Sequence, residues 1–314
     1  MPAETPLVTV VTVAYNSSLY IRDAIESVLA QSYTHLEYII GDDCSTDDTW
    51  KIIGEYKDPR IKAYRNETNL REYANRNKAI DMATGKYLIF IDGDDVIYQH
   101  GIQFFVSQTE QFPAAAMAIQ KGYINNILYP ALLHPEEIIK NDLYGSVGLL
   151  PSSFASNFYR TEILKQAGKL STKWITGDAE VRLRIASQYP VLFVAGWVSW
   201  PRETPGQAST KIANGVGTAE TYLMMKEILA VTGVKLNDSL KEDMYKQLKH
   251  KVALMVVHLL KRGKFKDISR CLKSTGLSFS EILLFLNYRS KYHDILDDHN
   301  SVKPLKRGFL NKMN

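Results

Sequence analysis

Residues 86–95 read Lys-Tyr-Leu-Ile-Phe-Ile-Asp-Gly-Asp-Asp, a short apolar run that ends in three carboxylates within four positions. The apolar part is typical of a buried strand, and open α/β sheets bind their ligands where such strands end. Neighbouring acids repel one another unless a cation joins them, and a divalent cation with oxygen ligands is the expected neutraliser. Since Mg²⁺ usually keeps substrate phosphates among its ligands, this stretch favours a phosphorylated substrate.

The sequence around this stretch alternates predicted strands with predicted helices. Strands are expected at Val8–Ala14, 36–40, 61–64 and 86–91. Helix boundaries are expected from N-caps at Ser17 or Ser18 and at Ser45 or Thr46, and from Gly85, which would end a helix over 72–83. Strands and helices at this spacing imply βαβ units and a mainly parallel, doubly wound sheet.

The rest of the chain divides into a mixed segment and a helical one. Residues 96–200 contain expected strands at 114–119 and 191–194 and expected helices at 161–166 and 179–188. Residues 202–216 are rich in Gly, Pro, Ser and Thr, which is typical of a connecting loop, and amphipathic helices follow from residue 218. We therefore expect an α/β part, residues 1–210, and a helical part, residues 211–314.

Charge is distributed unevenly between these two parts. Residues 1–210 hold 19 Lys and Arg against 24 Asp and Glu, a net charge of −5, whereas residues 211–314 hold 19 against 10, a net of +9. A basic helical part suggests an anionic partner, such as a membrane surface or a lipid-linked phosphate. A solvated basic helix face is the alternative.

Several features bear on the cellular compartment. Cys44 and Cys271 are too few for a disulfide framework, so a reducing cytosol is expected. The first residues, Met-Pro-Ala-Glu-Thr-Pro, lack the basic and apolar segments of a signal peptide. The longest apolar run, 252–260, is far shorter than the roughly 20 residues that span a bilayer. We expect a cytoplasmic protein whose contact with the membrane, at its inner face, is peripheral.

Polar residues follow the predicted elements in four clusters, at 12–16, 41–47, 92–95 and 177–180. In a doubly wound sheet the first three line one crevice at the carboxyl edge, where an aspartate can bond the N3–H of a pyrimidine and a tyrosine can flank the base. Each cluster also has a purely structural alternative, because Asp and Ser favour turns and helix caps. Two adjacent acids at one strand end and three at another are more than caps require, while for Asp178 alone the cap stays an open alternative.

Together the clusters closely resemble the inverting, nucleotide-sugar-dependent glycosyltransferases of family 2, which have the GT-A fold. The resemblance covers about residues 6–210, and residues 211–314 match no feature of the family. The matching positions are 8–16, 27–31, 42–47, 69, 76–77, 83–87, 92–95, 158–160, 167–168, 177–184, 202 and 209. No Arg-Trp pair occurs in the chain, so the Gln-x-x-Arg-Trp motif of processive synthases is absent, which favours the addition of a single sugar.

The resemblance implies roles for individual residues. The donor nucleotide would be held by Thr12, Tyr15, Asp42, Asp43, Arg76, Asp92 and Asp94. A Mn²⁺ or Mg²⁺ ion bridging the diphosphate would be held by Asp94 and Asp95, and Asp178 would be the general base. Independently of the resemblance, Arg71 or Arg76 would help to stabilise the charge on the departing diphosphate, or else be a surface arginine. Gly177 stands where many members have Glu, and some members share the glycine.

We therefore expect an enzyme that moves one sugar from a UDP-linked or dTDP-linked donor to a glycan or polyprenyl-linked acceptor, in bacterial surface polysaccharide assembly. No nucleic-acid partner is expected, and the basic helices would contact a membrane or pair two copies of the chain. An aspartyl-phosphate phosphatase is disfavoured because Val96 replaces the threonine of an Asp-x-Asp-x-Thr pattern. A nucleotidyltransferase is disfavoured because residues 14–17 are not a Gly-rich loop with Lys. A non-catalytic nucleotide-sugar-binding relic is the remaining alternative.

Overall fold

The computed structural model describes residues 5–122, 128–144, 150–174, 176–204, 216–231 and 238–290. Its strands, in chain order, are β1 Val8–Ala14, β2 Leu36–Asp42, β3 Ile61–Arg65, β4 Tyr87–Phe90, β5 Val96–Ile97, β6 Met117–Lys121, β7 Ala131–Leu133, β8 Asn157–Arg160, β9 Val191–Ala195 and β10 Ser199–Trp200. Eight strands form the central sheet, and β5 pairs with β10 in a separate antiparallel ribbon.

The central sheet has the strand order β3-β2-β1-β4-β8-β6-β9-β7. Strands β1 to β4 are parallel to one another, as is β9 to β6, while β8 and β7 run antiparallel to their neighbours. The predicted, mainly parallel α/β sheet is confirmed. Because β1 lies between β2 and β4, with Ala14 opposite Asp42, the polar segments that follow these three strands meet at one edge.

The helices alternate with the strands along the chain and then form a C-terminal group. They are α1 Ile21–Leu29, α2 Thr49–Glu55, α3 Glu72–Met82, α4 Gly101–Thr109, α5 Pro135–Tyr144, α6 Thr161–Gln166, α7 Gly177–Ala186, α8 Val216–Val231, α9 Asp238–Lys261, α10 Phe265–Thr275 and α11 Phe279–Phe285. A 3₁₀ turn at Phe154–Ser156 precedes β8. The predicted helical region after residue 218 is confirmed wherever the chain is described.

The predicted caps of the first three helices are wrong. The N-cap of α1 is Tyr20, without a side-chain bond, and Ser17 supplies only its backbone carbonyl. Helix α2 begins at Thr49, two residues later than expected, because the Asp47 carboxylate accepts the Thr49 amide. Helix α3 ends at the cap Ala83, and Gly85 instead permits a close approach to β1, since a Cβ there would lie 2.6 Å from the Thr9 nitrogen.

The C-terminal helices share an apolar core with the central sheet. Met225 of α8 and Met244 of α9 lie in the same apolar core as Phe90 and Tyr159 of the sheet. The expected connecting loop falls largely in residues 205–215, outside the described ranges. Within those ranges, none of the helices has the combined length and apolar content that crossing a bilayer requires.

Candidate active site

The first polar cluster at the sheet edge is built on the end of β2. Asp42 is fully buried, and its Oδ2 accepts the Ser45 amide at 3.2 Å and pairs with Arg65 Nε at 3.1 Å. Its Oδ1 has no hydrogen-bond partner among the described residues. Asp42 therefore stabilises the turn after β2, which carries the next acid.

Asp43 is held from two directions. Its Oδ1 accepts the Asn66 side-chain amide and the Leu70 backbone amide, both at 2.9 Å. Asn66 is itself fixed, because it donates to Asn75 Oδ1 at 3.0 Å and accepts from Lys78 Nζ at 2.8 Å. The carboxylate of Asp43 thus has one orientation, as a group that binds one edge of a base requires.

The cluster after β1 separates a buried residue from an exposed one. Thr12 is fully buried and shares a 2.8 Å hydrogen bond with the Tyr38 hydroxyl, so it holds the strand end in place. Tyr15 is 51% exposed, which leaves its ring accessible for stacking. Asn16 has a φ of 51° and accepts the Thr46 amide at 2.8 Å, which ties the turn after β1 to the turn after β2.

The acidic stretch after β4 begins with an ion pair. Arg76 Nη2 of α3 donates to Asp92 Oδ1 at 2.5 Å, and its guanidinium lies 4.2 Å from the Phe154 ring centre. Arg76 is 3% exposed, and this burial lowers the pKa of its guanidinium. The charges of Asp92 and Glu72 raise the pKa by more, so it lies above its ordinary value. Its Nε and Nη1 have no hydrogen-bond partner among the described residues, although Nη1 lies 3.8 Å from Glu72 Oε2. The ion pair with Asp92 therefore holds a permanent cation beside the acids.

The next two acids are bonded by the segment that follows β10. Asp94 Oδ2 accepts the Thr204 hydroxyl at 2.9 Å, and Asp95 Oδ1 accepts the Arg202 amide at 3.0 Å. Burial and the charge of Asp92 raise the pKa of Asp95 to about 7, although the Arg202 amide opposes this. Burial is the main cause of this shift, and the charges of Asp92 and Asp94 add to it.

Arg202 ties the segment after β10 to the acidic stretch and to Asp23. Its Nε donates to the Asp94 carbonyl at 3.1 Å and its Nη2 to Asp23 at 2.7 Å. Its guanidinium also lies 5.0 Å from the ring centres of Tyr20 and Trp200. These contacts anchor the segment beyond β10 to the strand end that carries the three acids.

The acidic stretch fits a divalent cation. Its donors are carboxylate oxygens, and the carboxylates of Asp92, Asp94 and Asp95 repel one another unless a cation joins them. In the described part of the chain, no three Asp, Glu, His or Cys side chains already converge around one point that could hold a metal. Mg²⁺ commonly takes one or two carboxylates and completes its shell with substrate phosphates and water, which is the arrangement that Asp94 and Asp95 would allow.

Asp178 lies in the first turn of α7. Arg182, one turn later, donates from Nη2 to Asp178 Oδ2 at 2.9 Å. Arg182 is 2% exposed, whereas the Asp178 side chain is 24% exposed and so remains open to a substrate. The N-cap of α7 is Thr176, so Asp178 is not the helix cap that its sequence position also allowed.

Two tyrosines connect Asp178 with the acidic stretch. Burial, followed by the charges of Asp178 and Glu72, raises the pKa of Tyr73, which also interacts with Arg76. Burial raises the pKa of Tyr159 to about 12, and the charges of Arg182 and Arg76 oppose that rise. Tyr73 lies on α3, as Arg76 does, and a Cβ at Gly177, the residue before Asp178, would lie 3.0 Å from the Tyr73 ring. Asp178 and the Arg76–Asp92 pair therefore border the same region of the molecule.

The structure brings the predicted acids and Arg76 to one end of the sheet and fixes most of them with buried partners. Sequence reasoning missed the pairing of Asp178 with Arg182. The signal was present, because residues four apart face each other on a helix. It also missed Thr204, whose bond to Asp94 joins segments 110 residues apart in sequence.

Comparison with known proteins identifies relatives. The sequence model described as "Glycosyl transferase family 2" matches residues 9–167. A putative teichuronic acid biosynthesis glycosyltransferase, TuaG, of Bacillus subtilis is 48% identical over 92 residues, 29% of this chain and 36% of that protein. The Escherichia coli UDP-Glc:alpha-D-GlcNAc-diphosphoundecaprenol beta-1,3-glucosyltransferase WfaP is 44% identical over 122 residues, 38% of this chain and 49% of its own length. The matched region thus spans between a third and a half of these relatives.

Solved structures share the fold. Staphylococcus aureus TarS 1–349, in complex with UDP-GlcNAc, superposes with a TM-score of 0.61 at 17% identity, covering 86% of this chain and 90% of that one. The mannosyltransferase PcManGT of Pyrobaculum calidifontis, in complex with GDP-Man and Mn²⁺, superposes with a TM-score of 0.54 at 14% identity, covering 90% and 87%. The predicted GT-A fold is confirmed by these likenesses.

Proposed function

The chain belongs to glycosyl transferase family 2, and from this membership we propose that it transfers one sugar, with inversion, from a nucleotide-diphosphate sugar to a hydroxyl of an acceptor. The proposal rests above all on one observation: an acidic strand end, held by buried Arg76, and an accessible carboxylate, Asp178, border the same region. Membership in this family leaves the phosphatase and nucleotidyltransferase alternatives without support.

The relatives support a place in bacterial surface polysaccharide assembly. One is named for teichuronic acid biosynthesis, and another for transfer of glucose from UDP-Glc to a diphosphoundecaprenol-linked sugar. By analogy we propose a UDP-linked donor and a glycan or polyprenyl-linked acceptor. Because those relatives are matched over half their length or less, the choice of donor and acceptor belongs to the proposal.

The donor nucleotide would bind across the ends of β1, β2 and β4. Asp43, whose orientation is fixed by Asn66 and Leu70, would accept the N3–H of uracil, and Tyr15 would flank the ring. Asp92 and Asp94 would lie along the ribose and diphosphate. Thr12 and Asp42, both buried, would support this surface from beneath through Tyr38 and Ser45.

A divalent metal, Mn²⁺ or Mg²⁺, would be held by Asp94 and Asp95. When bound, such an ion neutralises charge on the diphosphate and stabilises it as a leaving group. Arg76 supplies a further positive charge at this strand end, although its ion pair with Asp92 neutralises part of that charge.

Asp178 would act as the general base. The acceptor oxygen gives its proton to the Asp178 carboxylate as the new bond to the anomeric carbon forms and the bond to the diphosphate oxygen breaks. Inversion needs one such displacement, so a single base suffices. Arg182 keeps one carboxylate oxygen engaged at 2.9 Å, which fixes the orientation of the base.

Residues 211–314 would place the enzyme near its acceptor. We propose that residues 1–210 hold the catalytic machinery and that the basic helices contact the inner face of the cytoplasmic membrane. The net charge of +9 over 211–314 supports this. Pairing of two chains through these helices is the alternative use.

The proposal is tested by calorimetric titration with UDP, with and without Mn²⁺, after a thermal-shift screen of nucleotide sugars. A ligand that binds the native state raises the melting temperature. We expect UDP-sugars to raise it more with Mn²⁺ than without, and UDP binding to require the metal. Absence of any nucleotide-dependent shift, together with no donor hydrolysis, would contradict the proposed function, while binding without hydrolysis would indicate the relic.

A further inference from the structure

The turn between α9 and α10 is an exposed patch of cations and apolar side chains. Residues 260–266 read Leu-Lys-Arg-Gly-Lys-Phe-Lys, and all seven are exposed. Phe265 is 69% exposed and Leu260 39%. We call residues 260–266 the basic turn.

The four cations of the basic turn are unbalanced. None of Lys261, Arg262, Lys264 and Lys266 forms an ion pair with a residue in the described ranges, whereas other cations of α9 and α10 do. The following acid, Asp267, pairs instead with Arg270 at 3.3 Å. Four like charges within the six exposed positions 261–266 create a local positive potential that attracts an anionic surface.

The basic turn has a defined shape. Gly263 has a φ of 65°, its amide donates to the Leu260 carbonyl at 3.0 Å, and the Lys264 amide donates to the Leu259 carbonyl at 3.0 Å. Leu259 and Ile268, on either side, are buried. The backbone is therefore anchored, and Phe265 and the cations project from a turn fixed to the core.

The residue that follows the basic turn borders the loop that leads to Asp178. Asp267, the residue after the turn, lines a groove of about 240 Å³ together with Trp174 and Glu220. Trp174 lies four residues before Asp178, and the Thr176 amide donates to Glu220 Oε2 at 3.2 Å. A surface on which the basic turn rested would thus lie near the loop that leads to the base.

We propose that the basic turn docks the protein on an anionic lipid bilayer, with Phe265 inserted among the acyl chains and the four cations on the headgroups. The inference rests on the proposed function, because a bilayer near the loop that leads to Asp178 suits a lipid-linked acceptor. Each cation near such a surface contributes about fivefold to partitioning, and salt screens the effect. A soluble polyanion would use the cations alone, so the exposed Phe265 and Leu260 favour a bilayer.

Helix α11 provides a contrast within the same region. Phe279, Leu283 and Leu284 are 51%, 56% and 72% exposed, but residues 277–286 contain no Lys or Arg. This apolar face lacks the charge complement of an anionic membrane. It therefore supplies a matched control for the loss of an exposed apolar side chain.

The test is flotation of the full chain with vesicles of phosphatidylglycerol and phosphatidylcholine, at low and high salt. We expect Phe265→Ser to lower partitioning about tenfold and the double variant Lys261→Gln/Lys264→Gln to lower it about twentyfold at low salt. Leu284→Ser and the double variant Lys51→Gln/Lys57→Gln, which removes two exposed lysines near α2, should stay within about twofold of the unmodified chain.

Other results would overturn the docking proposal. These are equal partitioning of all variants and equal binding to pure phosphatidylcholine vesicles. A third is binding to heparin that weakens in Lys261→Gln/Lys264→Gln but is unchanged in Phe265→Ser. UDP–Mn²⁺ affinity is measured on the same samples. If nucleotide affinity is normal but Phe265→Ser and Lys261→Gln/Lys264→Gln float as the unmodified chain does, the docking proposal is rejected and the proposed function is not. Absence of nucleotide affinity in the unmodified chain would count against the proposed function.

Discussion

Two buried arginines hold the accessible acids of the candidate site. Arg76 binds Asp92 and Arg182 binds Asp178, and both arginines are at most 3% exposed. Each also has two nitrogens without a hydrogen-bond partner among the described residues. A buried cation is expensive unless a negative charge lies beside it, so these arginines require the acids to stay in place.

Arg182 is therefore predicted to position the base. Arg182→Lys replaces a planar fork with a single ammonium, so the Asp178 carboxylate loses its fixed orientation. We expect kcat for donor turnover to fall about tenfold while KM for the donor stays nearly unchanged. Arg184→Lys is the control, since Arg184 lies on the same helix but binds Glu180 through two 2.8 Å bonds. Equal kcat in both variants would assign Arg182 to packing alone.

The acids after β4 are predicted to carry metal-dependent donor binding. Asp94→Asn or Asp95→Asn removes a negative oxygen ligand without changing side-chain size. We expect each to abolish most UDP affinity that depends on Mn²⁺ while the melting temperature changes little. Calorimetry measures the affinity, with Asp48→Asn, an exposed acid of the α2 turn, as the control. Undiminished UDP–Mn²⁺ affinity in both variants would refute the assignment.

The acids themselves were predictable because each follows a recognisable apolar strand or precedes a helix. Their partners were less so. Spacing alone allows Arg182 to face Asp178 as readily as Arg184 faces Glu180. The burial of Arg182 and its neighbourhood with Tyr159 depend on contacts between distant segments, which spacing does not encode.

Glu37 joins four segments of the sheet. Its carboxylate accepts bonds from Thr9 of β1, from Lys62 of β3 and from the amides of Thr84 and Gly85 before β4. Burial opposes ionisation, but the bonds from Lys62, Thr9 and Thr84 prevail and lower its pKa to about 2. The folded state thus binds this proton less readily than the unfolded chain.

This linkage predicts a pH dependence of stability. A lowered folded pKa stabilises the native state above the unfolded value of about 4.5. That contribution, about 2–3 kcal/mol, is lost as the pH falls from about 4.5 towards 2. We expect Glu37→Gln to be less stable at pH 7 and to differ less from the unmodified chain near pH 2.5, by urea unfolding. Glu67→Gln, at an exposed position, is the control, and a Glu37→Gln difference that is constant with pH would contradict the linkage.

The start of α7 is predicted to require glycine. A Cβ at Gly177 would lie 2.5 Å from the Ser171 carbonyl oxygen and 3.0 Å from the Tyr73 ring. Gly177→Ala should therefore displace the helix start, destabilise the protein by about 2 kcal/mol and lower turnover through Asp178. Gly54→Ala, which meets nothing within 4 Å, is the control for thermal unfolding. Unchanged stability and turnover in Gly177→Ala would show that the loop yields freely.

Six of the ten strands described were predicted as apolar runs, and β1 has the expected bounds. The short strands β5, β7, β8 and β10 were not predicted. The helix caps were not, because backbone carbonyls and the Asp47 side chain took the places that Ser17, Ser45 and Thr46 were expected to fill. Local preference for a cap residue is weak enough for the packing of neighbouring turns to override it.

The helical region and the sheet share one core. Met225 and Met244 lie in the same apolar core as Phe90, and Lys251 of α9 donates to the Asp142 carbonyl at 3.4 Å. The charges of Lys251, Lys121 and Arg182 act on Asp142, whose pKa burial raises. A periodic sequence predicts a helix and its apolar face but not the surface that this face covers, so the shared core could not be read from the sequence.

A chain that ends near Val216 is consequently predicted to be unstable. Removal of the C-terminal helices exposes the apolar surface of the sheet that they cover. We therefore expect the shortened chain to have a melting temperature lower by about 10 °C or more, and to aggregate. Met225→Ala should lower the melting temperature in the same direction by a smaller amount, whereas the exposed Leu254→Ala should not. Thermal unfolding followed by circular dichroism measures each, and an unchanged melting temperature in the shortened chain would show independent folding.

The most direct test of the central claim is the turnover of a nucleotide sugar by Asp178→Asn. Asparagine keeps the size of the side chain but cannot take the acceptor proton. Donor affinity is measured by calorimetry and release of the nucleotide diphosphate at saturating donor, with the unmodified chain as reference. The account predicts near-normal donor affinity and turnover slower by about 10²-fold or more. Near-normal turnover at saturating donor would contradict it.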